Sequence, residues 1–247
     1  MDGTATGIGE RVVALRETWH TKKHPFFQAM TDGSLPLRAL GIYMANHYKF
    51  VEQALPSFGL LLYRAPKDVA QSLVENLAEE EGLMASPGEG KEPHDHMEMI
   101  FDFCNAAGLA TEEVKALQMG PAWWARTLHY VHCLRDEPVG VALAMQSTQE
   151  GQQVALNVEI TIPSFAKHYG YGPDAKEIAF FVEHAEADLE HSNRQMALCE
   201  KYVTPDLEER TLQVCEEAVR LRWASITEIY REHVLNEAEI LPPGVAA

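Results

Sequence analysis

Cysteine is scarce in this chain, and no two cysteines pair in sequence. Cys104, Cys133, Cys199 and Cys215 are scattered without a CxxC among them, which excludes a zinc ribbon, a thioredoxin-type site and a disulfide scaffold. A reducing, cytoplasmic setting is expected. Basic residues are also few: 20 lysines and arginines stand against 37 aspartates and glutamates, a net charge of −17. Such a field repels phosphate backbones and anionic lipid, so neither nucleic acid nor a membrane is expected as a partner. Long apolar runs are missing too. Gly59 to Tyr63 (GLLLY) is the strongest cluster, far short of the roughly 18 residues of a span. The opening MDGTATGIGER lacks the basic-then-apolar order of a secretory signal. Alternating apolar and polar runs bounded by hairpin turns, the mark of sheet, do not occur.

What is present is helical periodicity over 247 residues with 46% hydrophobic composition, ample for a sizeable core. The pattern predicts an all-α, single-domain helical bundle over 1–247, with flexible ends at about 1–8 and 238–247. Helices are expected at about Glu10 to His20, Leu37 to Tyr63 with a kink near Pro56, and Pro66 to Gly82. Ala85 to Pro93 (ASPGEGKEP) reads as the clearest loop. Further helices are expected at about Asp95 to Ala107, Thr111 to Leu134, Val139 to His168, Asp174 to Tyr202 and Pro205 to Val234.

Eleven histidines accompany the 37 acids, and these are the side chains that bind harder divalent metals such as iron and manganese. The sharpest group is His184-Ala-Glu-Ala-Asp188-Leu-Glu-His191. On a continuous helix Asp188 lies roughly 40° and His191 roughly −20° from His184, so the three share a stripe. Phe180 and Phe181 one turn earlier aim that stripe inward, where ionisable groups are costly unless something binds them. On other helices Glu150 falls on a mostly apolar face with Leu143 and Val154. Glu80 falls on the face of Val69 and Leu73, and His96 shares a face with Ile100 and Phe103. Each position taken singly also fits a solvated charge run or a satisfied surface histidine. Three carboxylates and three imidazoles without thiolate suit iron(II) or manganese(II) better than structural zinc.

Several segments resemble a known family. His24-Pro-Phe-Phe-Gln-Ala-Met-Thr-Asp-Gly33-Ser-Leu-Pro36 and Tyr43-Met-Ala-Asn46-His-Tyr48 resemble the opening of the thiaminase II and pyrroloquinoline-quinone synthase superfamily. Phe103 to Leu109, Ser164 to Gly170 and Asp188-Leu-Glu-His191 continue the likeness. The resemblance implies the haem-oxygenase-like helical fold. It also implies a nucleophilic cysteine within Met145 to Glu150 and an aspartate at position 47 for thiaminase II. This chain has no cysteine in that segment and His47 at that position. The quinone synthase, a cofactor-free oxidase, lacks the first histidine of the triad and surrounds its substrate with arginine and lysine; Asn157 and Ile160 supply no such charge here.

The branch of haem-oxygenase-like di-iron oxidases and oxygenases is similar at six positions. They are Glu80, His96, Glu150, His184, Asp188 and His191, with Glu80, Glu150 and Asp188 as the catalytic carboxylates. The loop before His96 is longer than in many members, so His94 in place of His96, and Glu79 or Glu81 in place of Glu80, stay open. The resemblance implies two Fe(II) ions, or manganese, with O2 as co-substrate and a small organic substrate, amino-acid-derived or fatty-acid-like. Tyr43, His47, Tyr48, His129 and Asn157 are candidate pocket residues. A homodimer, served by an electron donor where the reaction needs one, is the expected working form. A self-sacrificing role, with a protein tyrosine as substrate, resembles a chlamydial relative, but the lysine it implies is Ile160 here. A cofactor-free quinone-synthase-like oxidase and a non-enzymatic helical small-molecule-binding protein are the alternatives.

Overall fold

A computed structural model of the chain describes residues 7–85, 92–185 and 187–237, with the side chains of 187–191 excepted. Within these residues there is no strand, and the one extended pairing is an isolated antiparallel bridge between Glu81 and Asp95. The helices are α1 (Ile8–Thr18), the short α2 (Pro25–Gln28), α3 (Leu37–Leu62), α4 (Lys67–Glu80), α5 (His96–Ala106) and α6 (Thr111–Ala116). They continue as α7 (Pro121–Asp136), α8 (Val139–Glu150), the single turns α9 (Gln153–Leu156) and α10 (Ile162–Ser164), α11 (Ala179–His184), α12 (Ala187–Tyr202) and α13 (Glu208–His233). Among the described residues no helix is long and apolar enough to cross a membrane.

Proline marks many of the starts, because its fixed φ suits the entry to a helix and its missing N–H is unpaired there anyway. Pro36, Pro66 and Pro138 stand just before α3, α4 and α8, and Pro121 opens α7. Pro56 lies inside α3 without ending it. The core gathers on α3, where Leu40, Tyr43, Met44, Phe50, Phe58 and Leu61 are buried, and on α8, which is buried on every side from Gly140 to Gln149. An all-round buried helix needs small side chains to be packed closely. Here α8 carries Gly140, Ala142 and Ala144 and packs against α12, α13 and α7.

Three helices expected to be continuous are broken. The segment from Thr111 stops at Ala116, where Leu117 turns extended, and restarts at Gly120-Pro121 as α7. The Val139 to His168 helix ends at Glu150, where Gly151 caps it, and resumes as α9, α10 and two π-type turns, Asn157–Thr161 and Phe165–Tyr169. The segment from Asp174 becomes a single 3-10 turn (Lys176–Ile178), then α11, then α12. That last break falls inside the His184, Asp188, His191 motif, so its members sit on two helices and the single-helix stripe does not apply.

Candidate metal centre

Glu80 closes α4 and His96 opens α5, and the chain between them is tied back on itself by the Glu81–Asp95 bridge. Two local devices fix this junction. Gly82 has φ +65, a conformation costly for any residue with a Cβ. A Cβ there would stand 2.7 Å from the Asp95 nitrogen. Asp95 then caps α5, its carboxylate accepting from the N–H groups of Met97 at 2.8 Å and Glu98 at 3.3 Å. The result sets Glu80 Oε2 2.8 Å from His96 Nδ1.

The third member arrives from α11. His184 ends that helix, its ring stacked on Phe180 at 4.0 Å and 4.6 Å from the His96 ring. Its Nδ1–H donates to the Phe180 carbonyl at 2.8 Å, and its Nε2 lies 4.0 Å from Glu80 Oε1. One ligand atom from each of Glu80, His96 and His184 lies within 4.8 Å of the others. Burial, and then the charge of His96, lower the His184 pKa to about 4, so this ring is neutral. With Nδ1 engaged on a backbone carbonyl, the free nitrogen is Nε2, the tautomer a metal takes. His96 behaves in the opposite way. Burial alone would lower its pKa, but the charge of Glu80 and hydrogen bonds to Glu183 and Glu80 outweigh that and raise it to about 10. A proton on His96 therefore supplies the positive charge this acidic cluster requires. A divalent cation would supply the same charge to the same atoms, so two imidazoles and a carboxylate converging in a buried site fit a metal.

Among the residues expected here, His96 rather than His94 joins the cluster: His96 is 1% exposed, whereas His94 is half-exposed and faces Glu183 at 3.3 Å. Glu80 is the member of its triplet that faces both histidines; Glu79 is buried and Glu81 is exposed. Glu150 ends α8, where its Oε2 accepts from Gln195 Nε2 at 2.6 Å. It is outside the three-residue cluster but lines the same cavity as Glu80 and His184. Asp188 and His191 fall in the first turns of α12, and their side chains lie outside the described residues.

That cavity, of about 80 Å³, has an apolar wall from α3 formed by Phe50, Val51, Ala54, Leu55 and Phe58. Its polar wall includes Asn76, Arg126, Tyr130, Gln149 and Arg222 as well as Glu80, Glu150 and His184. Of the expected pocket residues only His47 lines it. Its Nδ1 is buried without a hydrogen-bond partner, and burial, with the charges of Arg126 and Arg222, holds its pKa well below the ordinary value. Tyr43 is spent on packing against Phe26, Phe27 and Trp123. Tyr48 turns instead to Phe101 and bonds Glu52 through its hydroxyl. Asn157 accepts from Thr161 in a π-type turn. His129 sits in a separate open groove of about 440 Å³, facing Glu217 at 3.3 Å. That groove is larger but carries none of the metal-type cluster.

Sequence reasoning missed Glu183, buried 3.4 Å from His96 Nε2; its spacing of three from Phe180 was the available signal. It missed Arg126 and Arg222 as well. The basic charge absent at Asn157 and Ile160 enters the cavity from α7 and α13.

The profile of the TENA/THI-4/PQQC family matches residues 13–227. A 4-aminobenzoate synthase of Chlamydia muridarum is 22% identical over 213 residues, covering 85% of each chain. A protein of the same name from Nitrosomonas europaea is 26% identical over 245 residues, covering 92% of each. A crystal structure from Shewanella denitrificans, described as a domain of unknown function with a heme oxygenase-like fold, superposes with a TM-score of 0.72. It shares 15% identity over 92% of each chain, so the all-α architecture is the haem-oxygenase-like fold.

Proposed function

The chain belongs to the TENA/THI-4/PQQC family, and from that premise we propose that it is a non-haem di-iron oxidase or oxygenase that uses dioxygen to oxidise a small organic substrate. The observation that carries this reading is the meeting of Glu80, His96 and His184 from three helices in one cluster, two of whose members, Glu80 and His184, line a cavity. Relatives named as 4-aminobenzoate synthases support a biosynthetic enzyme. Two ferrous ions, or manganese, held by these three residues with Glu150, Asp188 and His191, would supply the electrons that activate dioxygen.

The protein's own contribution is arrangement. The bond from His184 to the Phe180 carbonyl sets the ring's tautomer and direction. Gln195 holds the Glu150 carboxylate by a 2.6 Å hydrogen bond. Phe180, buried and packed against the rings of both His96 and His184, keeps water from the back of the histidines, and the apolar face of α3 receives the body of the substrate. Anaerobic titration with ferrous iron tests the proposal: about two irons bound per chain, with affinity reduced by Glu150→Ala or Asp188→Ala, are expected. Unchanged affinity in both variants would sink the six-ligand assignment. Oxidase activity that survives strong chelation would favour the cofactor-free reading instead.

A second reading joins the relatives' name, 4-aminobenzoate synthase, to the chlamydial resemblance: a protein tyrosine supplies the ring, an added amine donor supplies the nitrogen in exchange for the phenol oxygen, and dioxygen is the oxidant. Tyr130 is the tyrosine that lines the cavity beside Glu80 and Glu150, and Ile160 occupies the position where the chlamydial resemblance implies lysine. Intact-mass analysis after aerobic incubation with iron and the amine donor decides it. A mass loss matched by released 4-aminobenzoate, and abolished in Tyr130→Phe, is the expected sign; an unchanged mass excludes this reading.

A further inference from the structure

The cavity contains a charge that the metal cluster does not explain. Arg126, from α7, is 3% exposed and lines the cavity. A guanidinium carries five N–H donors and stays charged, so burying one demands acceptors. Here the protein supplies one: Nη2 donates to the side-chain carbonyl of Gln149 at 3.1 Å. Nε and Nη1 are buried with no partner. The flat faces of the group are held by Phe50 at 4.4 Å and Trp123 at 4.9 Å, which fix its plane and leave its edge for hydrogen bonding.

A second guanidinium stands on the same wall. Arg222, from α13, lines the same cavity and donates to the Gln149 backbone carbonyl at 2.6 Å, so the two guanidinium groups converge on one residue. Burial, followed by the repulsion of Arg222, lowers the Arg126 pKa to about 9. Glu80 and Glu150 line the same cavity, but neither bonds Arg126 Nε or Nη1, which stay buried without a partner and are a standing cost until an acceptor completes them.

We infer that Arg126 is the carboxylate-binding residue of the cavity and that the substrate is a carboxylic acid. Its acid group is held by the Arg126 edge within the field of Arg222, its apolar body lies along α3, and its reacting carbon faces Glu80 and His184. A fork of N–H groups on a fixed plane matches the two oxygens of a carboxylate better than a single-point anion. The volume also constrains the ligand. About 80 Å³ is roughly half of the ~150 Å³ engineered cavity that accepts benzene, so this conformation admits a short aliphatic acid or the acid end of a longer one. The assignment rests on the cavity being the oxidation site proposed above.

Calorimetric titration of the metal-free protein with hexanoate and with the neutral isostere hexanamide tests it without iron chemistry. The wild type should prefer the acid by about tenfold or more. Arg126→Gln should abolish the preference, and Arg126→Lys, which keeps the charge but loses the fork, should show an intermediate one. Equal binding of acid and amide overturns the inference, as does failure of the wild type to bind hexanoate up to the millimolar range. A preference unchanged in both variants overturns it too. Should Arg126→Gln fail to melt cooperatively, Arg126→Lys decides alone: wild-type preference overturns, reduced preference supports. Ferrous iron binding is measured in parallel on the same proteins. Acid preference without iron binding would remove the di-iron proposal and keep the carboxylate site, and iron binding without acid preference would do the reverse.

Discussion

Glu80 and His96 are 16 residues apart in sequence and 2.8 Å apart in space. The contact depends on the chain reversing tightly enough to pair Glu81 with Asp95 beside it, and Gly82 at φ +65 is the hinge of that reversal. Gly82→Ala puts a Cβ against the Asp95 backbone in a conformation L residues avoid. The expected loss is about 1–3 kcal/mol of unfolding free energy. Urea denaturation measures it, and ferrous iron affinity should fall in the same variant. Stability and iron affinity both equal to wild type would show that the turn does not set the pair.

Because the cluster carries a proton on His96 where a cation fits, metal should stabilise the folded state and not merely decorate it. Anaerobic ferrous iron at about 100 times its dissociation constant should add roughly 2.7 kcal/mol, seen as a rise in melting temperature. Glu80→Ala and His184→Ala each remove one of the three converging donors and should abolish most of the rise. If either variant shows the full wild-type rise, that residue does not hold the metal.

The helices themselves were legible because their apolar faces repeat at the helical period, and proline marked where many began. The breaks were less so. Gly151 and the junction after His184 interrupt helices whose apolar pattern continues past them, and periodicity alone does not register a pause that keeps phase with packing. Glu80, His96 and His184 stood out as ionisable groups on apolar stripes. Arg126 and Arg222 did not, because an arginine on a helix is ordinarily read as part of a solvated face. Only tertiary packing turns these two inward, Arg126 over the Phe50 and Trp123 rings and Arg222 onto the Gln149 carbonyl. Tyr48 and Asn157 stay out of the cavity lining for another reason: Tyr48 bonds Glu52 and Asn157 Oδ1 accepts from Thr161, contacts within their own helical turns.

The close approach of α8 to the end of α12 offers a test of packing independent of the site. A Cβ on Gly140 would lie 2.6 Å from the Tyr202 carbonyl carbon and 2.7 Å from the Val203 nitrogen, both backbone atoms that no rotamer change can move aside. Gly140→Ala should therefore destabilise by about 1–3 kcal/mol, although alanine is the better helix former. Thermal melting measures it. A stabilised variant would show that α8 can withdraw from α12 at no cost.

His20 and His24 make stability depend on pH through a shared device. Each accepts a backbone N–H at Nδ1, His20 from Lys22 at 3.2 Å and His24 from Phe26 at 3.0 Å, and so caps the short turn that follows. A protonated imidazole has no lone pair with which to do this. Burial, joined at His20 by the charges of Lys22 and Arg222, lowers the folded pKa to about 3 for His20, and burial lowers it to about 4 for His24, against 6.5 in the unfolded chain. Between those values the unfolded state binds more protons, so stability rises with pH. The contribution is full above pH 6.5 and is lost as pH falls from 6.5 towards 4 at His24 and towards 3 at His20. His24→Asn retains a capping acceptor that does not titrate in this range. Urea midpoints measured from pH 7.5 to 4.5 should fall less steeply for His24→Asn than for wild type, because the His24 share is removed while His20, His47 and His184, whose pKa values burial also lowers, still contribute. Parallel slopes would mean that His24 is already free to protonate in the folded protein, and that its buried bond to Thr227 at 2.9 Å does not depend on the neutral ring.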